Sequence, residues 1–184
     1  LMRSSAASDV YKRQVWDAEM ILPYKQIDES LDMIMNGKAA MVIPYDQTVL
    51  FLSEEQTVAS LRADSILEHL QLHSASYRRW LGRPSCGGLF FVNREVYLKC
   101  GGENEHFYGW GPEDAERVRR MEILGYPVGV NTEGPLYHLW HPRGDNSRFF
   151  NRQLASNSRL ELIRICNMDT KELTDDVASW RNRK

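Results

Sequence analysis

Residues 87–116, GGLFFVNREVYLKCGGENEHFYGWGPEDAE, decide how this chain is read. The run opens on a glycine pair, Gly87 and Gly88. Residues 88–93 (GLFFVN) are apolar and aromatic-rich, which predicts a buried strand. Residues 94–100 then predict a short helix, and residues 101–112 a loop. Gly109, Gly111 and Pro112 restrict the backbone to a turn that feeds a helix over 113–124, stopped by Gly125. Glu113, Asp114 and Glu116 fall in the first turn of that helix, where the macrodipole favours negative charge. Capping does not account for Phe107, Tyr108 and Trp110 just upstream. Aromatic faces stack on the CH faces of sugars, and a carboxylate beside them can act as general base toward a sugar hydroxyl. The competing reading is an aromatic core corner beside a charged cap, and these residues alone leave both open.

Working outward, residues 126–130 and 134–138 predict short strands and residues 149–166 a terminal helix, with a frayed polar end beyond it. Upstream, residues 15–22 (VWDAEMIL) predict one strand ended by Pro23. Residues 28–36 predict a helix with Asp28 as N-cap and Gly37 just past its end. Residues 40–44 (AMVIP) predict a second strand. Residues 54–72 are helix-prone but weakly amphipathic, and residues 77–85 read as a basic aromatic loop. Strands alternating with helices place the chain in the α/β class.

Two further motifs carry candidate chemistry. Within a single strand, Asp17 and Glu19 would share one face. Two acids so placed repel each other, and a divalent cation relieves the repulsion. Carboxylate oxygens suit Mg²⁺ or Mn²⁺. In LYHLWHPRG (136–144), His138 and His141 stand three apart, and Pro142 favours a loop that could fold around an ion. Taken singly, each motif is more simply read as solvated acids on an edge strand or as surface or cap histidines.

Composition narrows the classes. The chain has 184 residues, 42% of them hydrophobic, and a net charge of −2. That charge excludes a strong field for nucleic acid or an anionic membrane. No apolar run is long enough to span a bilayer. The three cysteines form no zinc pattern and no disulfide framework. A reducing, cytoplasmic compartment is expected, with membrane association only through parts outside this chain. Residues 1–14 (LMRSSAASDVYKRQ) show no clear period, and residues 9–14 read as a translated adapter end. They are set aside here as a scar.

The order WDAEM, then GGLFFVNREVYLKCGGENEHFYGWGPEDAE, then LYHLWHPRG resembles the C-terminal catalytic part of GT-A-fold glycosyltransferases. The likeness is to family-two enzymes with a galactosyltransferase-like C-terminal region, similar to β-1,4-galactosyltransferases and chondroitin polymerases. It implies that residues 15–184 are a catalytic-domain fragment: a mixed sheet flanked by helices, with the N-terminal nucleotide-binding half largely missing. It implies Mn²⁺ or Mg²⁺ held by Asp17, Glu19, His141 and His138, with Glu19 standing where the family usually has Asp. Asp114 would be the general base and Glu113 would bind hydroxyls. Trp110, Tyr108, Gly87 and Gly88 would line the sugar site, and Arg143 would reach a phosphate. The implied partners are a nucleotide-sugar donor, UDP-linked, and a saccharide acceptor. The implied reaction is an inverting transfer of a hexose or N-acetylhexosamine. The alternatives are a non-catalytic carbohydrate- or nucleotide-sugar-binding fragment and, ranked lower, a metal-dependent hydrolase.

Overall fold

A computed structural model describes residues 12–80, 82–107, 112–142 and 152–181. These described residues form a mixed α/β fold with two four-stranded sheets. The first has the order β1 (Lys12–Trp16), β6 (Leu89–Asn93), β3 (Met41–Ile43), β7 (Val128–Val130). Only the β3–β7 pair in it is parallel. The second has the order β2 (Met20–Ile21), β8 (Leu136–His138), β4 (Val49–Phe51), β5 (Arg78–Arg79). There only the β8–β4 pair is parallel.

Strand β6 is apolar and buried from Leu89 to Val92, where both its faces are covered. Phe90 and Val92 join Met41, Tyr97 and Met121 in one cluster, under α4 (Arg94–Lys99) and α5 (Glu113–Ile123). Phe91 turns the other way, to Val42 and to Ile34 of α1 (Tyr24–Met35). Asn93 ends the strand and caps α4, its side chain accepting from the backbone N–H of Glu95 and Val96 at 3.0 and 3.1 Å. A third cluster, containing Met20, Ile43, Tyr45, Leu89 and Leu136, joins the two sheets.

Several expectations are corrected. Residues 15–22 are not one strand. A turn, closed by Met20 N–H on Asp17 O at 3.0 Å, divides β1 from β2 and sends them to different sheets. β1 begins at Lys12, inside the stretch set aside, because backbone pairing with β6 needs no particular side chain. Helix α1 starts at Tyr24, behind Pro23 at φ −60°, and Asp28 lies within it rather than capping it. Strands β4 and β5 were not expected. Residues 54–72 form two helices, α2 (Glu54–Arg62) and α3 (Ile66–Leu72). The polar segment after residue 166 is helical as far as Arg181 rather than frayed. After α6 (Arg152–Cys166), helix α7 (Thr170–Arg181) buries Leu173 and Val177 against Ile165 and the end of α5. Among the described residues, no helix is long and apolar enough to cross a membrane.

Candidate active site

The candidate site lies where chain segments pass between the sheets. Antiparallel pairing sets Met20 opposite His138, and Leu139 N–H donates to Glu19 O at 2.9 Å. Register therefore brings Glu19 beside both histidines. Its Oε1 lies 3.4 Å from His141 Nε2 and 4.0 Å from His138 Nε2. One donor atom from each residue fits within a 4.8 Å span. His138 is buried, while Glu19 and His141 are half-buried.

Backbone carbonyls set the two rings. His138 Nδ1 lies 2.7 Å from Leu139 O, and His141 Nδ1 lies 3.1 Å from Pro142 O. A carbonyl only accepts, so Nδ1 carries the proton, and in the neutral ring Nε2 keeps its lone pair. Both lone pairs then face Glu19. Two imidazole nitrogens and one carboxylate oxygen are a donor set that fits a divalent cation of the Mn²⁺ class. A ring ladder holds His138 from behind: Trp80 stacks on Phe51 at 4.3 Å, Phe51 on His138 at 3.9 Å, and His138 on His141 at 5.3 Å. Asp17, expected in the same ligand set, stands outside this group of three. Its backbone N–H donates to Gly88 O at 3.1 Å.

That bond leads to the second half of the site. Gly88 has φ +85°, a left-handed conformation, and a Cβ there would also meet Met20 Cε at 2.7 Å. Beside it, a Cβ on Gly87 would collide with Asp114 Oδ2. The glycine pair thus separates the Asp17–Met20 turn from the first turn of α5. Tyr45 Oη donates to Gly87 O at 2.7 Å, and burial pushes this phenol above its ordinary range, so it stays a donor. Burial also raises the neighbouring Cys86 thiol to about 11, with Asp114 adding to the effect. Cys86 stays protonated, as a packed residue rather than a nucleophile.

Asp114 is held by a residue that sequence reasoning missed. Buried Arg117 donates from Nη1 to Asp114 Oδ1 at 2.7 Å. It donates from Nε and Nη2 to both Glu103 oxygens at 2.8 and 2.7 Å. Tyr97 Oη donates to the same Glu103 at 2.6 Å. Burial works to lower the Arg117 pKa, but the carboxylates of Asp114 and Glu103 outweigh it and keep the guanidinium charged. The i,i+3 spacing of Asp114 and Arg117 was the available signal. Glu113 is half-buried at the helix mouth. Glu116 is instead a structural acid, buried with Arg120 Nε 2.7 Å away. Tyr108, Trp110 and Arg143 lie outside the described residues.

A cleft of about 450 Å³ opens beside the histidines, between Phe51, Arg78 and Trp140. Neither Phe51 nor Arg78 was singled out by motif, because each sits on a strand that sequence periodicity did not reveal.

Residues 68–142 match a family model described as the N-terminal domain of galactosyltransferase. The chain is also similar to beta-1,4-galactosyltransferase 7 of Mus musculus and of Homo sapiens. Each is 34% identical over 61 residues, covering 30% of this chain and 19% of the relative. The chain thus spans about a fifth of the length of these curated relatives. The matched segment contains Gly87, Gly88, Asp114, His138 and His141, while Glu19 reaches the histidines from outside it. Residues 68–142 are therefore galactosyltransferase-like.

Proposed function

We propose that the chain is part of a metal-dependent glycosyltransferase of GT-A type. It would move a hexose or N-acetylhexosamine from a UDP-linked donor to a saccharide hydroxyl, inverting the anomeric carbon. The observation that carries this reading is the glycine pair, with the Asp17–Met20 turn that bears Glu19 on one side and Asp114 on the other. Glu19, His138 and His141 would hold Mn²⁺ or Mg²⁺, with Asp17 near enough in sequence to assist. A cation bound there supplies a Lewis acid for a departing diphosphate.

The chain's own residues do the rest. Asp114 Oδ2 takes the acceptor hydroxyl proton as that oxygen bonds to the anomeric carbon and the bond to the diphosphate oxygen breaks. Arg117 occupies Oδ1 and so fixes which oxygen is offered. Gly87 leaves room for the Asp114 side chain and Gly88 for Met20, and the pair would line the sugar site. Glu113 accepts sugar hydroxyls, Trp110 and Tyr108 stack on a ring, and Arg143 contacts a phosphate. The three cysteines are free, which fits the cytoplasmic setting we propose. The test is UDP release coupled to glycan formation, with and without Mn²⁺. Asp114→Asn is expected to cut turnover by about 10²–10⁴-fold while sparing donor binding. Wild-type turnover in that variant removes Asp114 from the role.

A further inference from the structure

The cleft beside the histidines has a chemistry of its own. Phe51, Ser53, Gln56, Arg78, His138 and Trp140 are among its lining residues. Ser53 and Gln56 form the capping box of α2, and Gln56 Nε2 also donates to Ser76 O at 3.3 Å. That wall is therefore fixed by its own hydrogen bonds. Trp140 is 41% exposed, yet its backbone is anchored, its N–H donating to buried Thr57 Oγ1 at 2.8 Å. Exposed Arg78 lies over the Phe51 and Trp80 rings, 5.8 and 5.6 Å from their centroids. Among the described residues no carboxylate pairs with it. An exposed arginine placed beside two stacked rings presents N–H donors suited to a planar oxyanion.

We propose that this cleft is a subsite for a sugar unit bearing an anionic group. Arg78 takes the anionic oxygens and Trp140 covers the apolar ring face. The inference rests on the transferase reading only for its placement beside a reaction centre. The shared chemistry, a phosphoryl or carboxylate group carried by a sugar, has two sources: the donor diphosphate or an acidic sugar of the acceptor.

Calorimetry on the full chain separates them, with three probes: UDP plus Mn²⁺, a glucuronate-terminated disaccharide, and its neutral glucose-terminated counterpart. Arg78→Gln is expected to weaken one anionic probe about tenfold, a charge-assisted hydrogen bond's worth, with the neutral probe changed less than about twofold. Loss on UDP assigns the anion to the donor; loss on the glucuronate assigns it to the acceptor. Arg78→Lys keeps the charge and should recover part of the loss. The proposal is overturned if neither anionic probe binds, if both bind Arg78→Gln as tightly as the parent, or if Arg78→Lys binds no better than Arg78→Gln. If sugar transfer is absent while Arg78-dependent binding persists, only the transferase reading falls.

Discussion

Arg117 Nη1 and Asp114 Oδ1 lie 2.7 Å apart, and the same guanidinium grips Glu103 with its other two nitrogens. One buried cation thus ties the first turn of α5 to the loop ahead of it. Arg117→Met should leave two carboxylates facing each other and lower stability by about 2–3 kcal/mol, less than a fully buried pair because both acids are partly exposed. Chemical denaturation measures that loss. Single-turnover kinetics on the fraction still folded should show kcat falling further than donor affinity. An unchanged kcat would leave Arg117 a purely structural residue.

Gly87 and Gly88 should fail in different ways. A Cβ on Gly87 meets the tip of Asp114, a side chain that can shift. Gly87→Ala is expected to cost little stability but about 100-fold in turnover, the usual effect of displacing a reacting group by an ångström. Gly88→Ala puts a side chain at φ +85° and against Met20, so its main effect should be a loss of about 1–2 kcal/mol or more. Thermal melts and turnover measured side by side give the contrast.

Glu19→Ala and His141→Ala should each weaken Mn²⁺ binding by about 100-fold or more, read by calorimetry. His138→Ala should do the same and also lower the melting temperature, because the ring is stacked between Phe51 and His141. Asp17→Ala is the informative comparison, since its side chain stands apart from the three donors.

Glu161 gives a pH test remote from the site. Burial works to raise its pKa, but hydrogen bonds from Arg164 and Asn104 prevail and depress it from 4.5 to about 2. A depressed carboxylate stabilises the fold above its unfolded value and loses that contribution as pH falls through the folded value. Stability should therefore decline from about pH 4.5 toward about 2. Allowing for solvent around Arg164, the loss is about 1–2 kcal/mol. In Glu161→Gln this segment of the pH profile should flatten.

Much of the central block was legible. β6, α4 and α5 announce themselves through a doubly covered apolar run, an Asn cap and a terminal glycine. The turn after β1 was not legible. Asp17-Ala18-Glu19 contains no glycine or proline, and the break is dictated by two partners, β6 and β8, that pull its flanks into separate sheets. Helix α7 was missed because Leu173, Val177 and Trp180 are a thin apolar stripe in a polar segment. In the site, the histidine motif and Glu19 could be proposed from residue type, but their meeting depends on the β2–β8 register. The Phe51–Arg78 platform depends on β4 and β5, whose few residues give periodicity too little to act on.

The carbonyl contacts at Nδ1 have a dynamic corollary. A ring fastened at that nitrogen and wedged in a stack cannot swing aside without losing its anchor. Among the described residues, the Glu19 carboxylate has no comparable clasp, only its approach to the two imidazoles. Of the three candidate ligands, Glu19 is then the one whose rotamer can change without disturbing the stack, borne on a turn rather than on a strand.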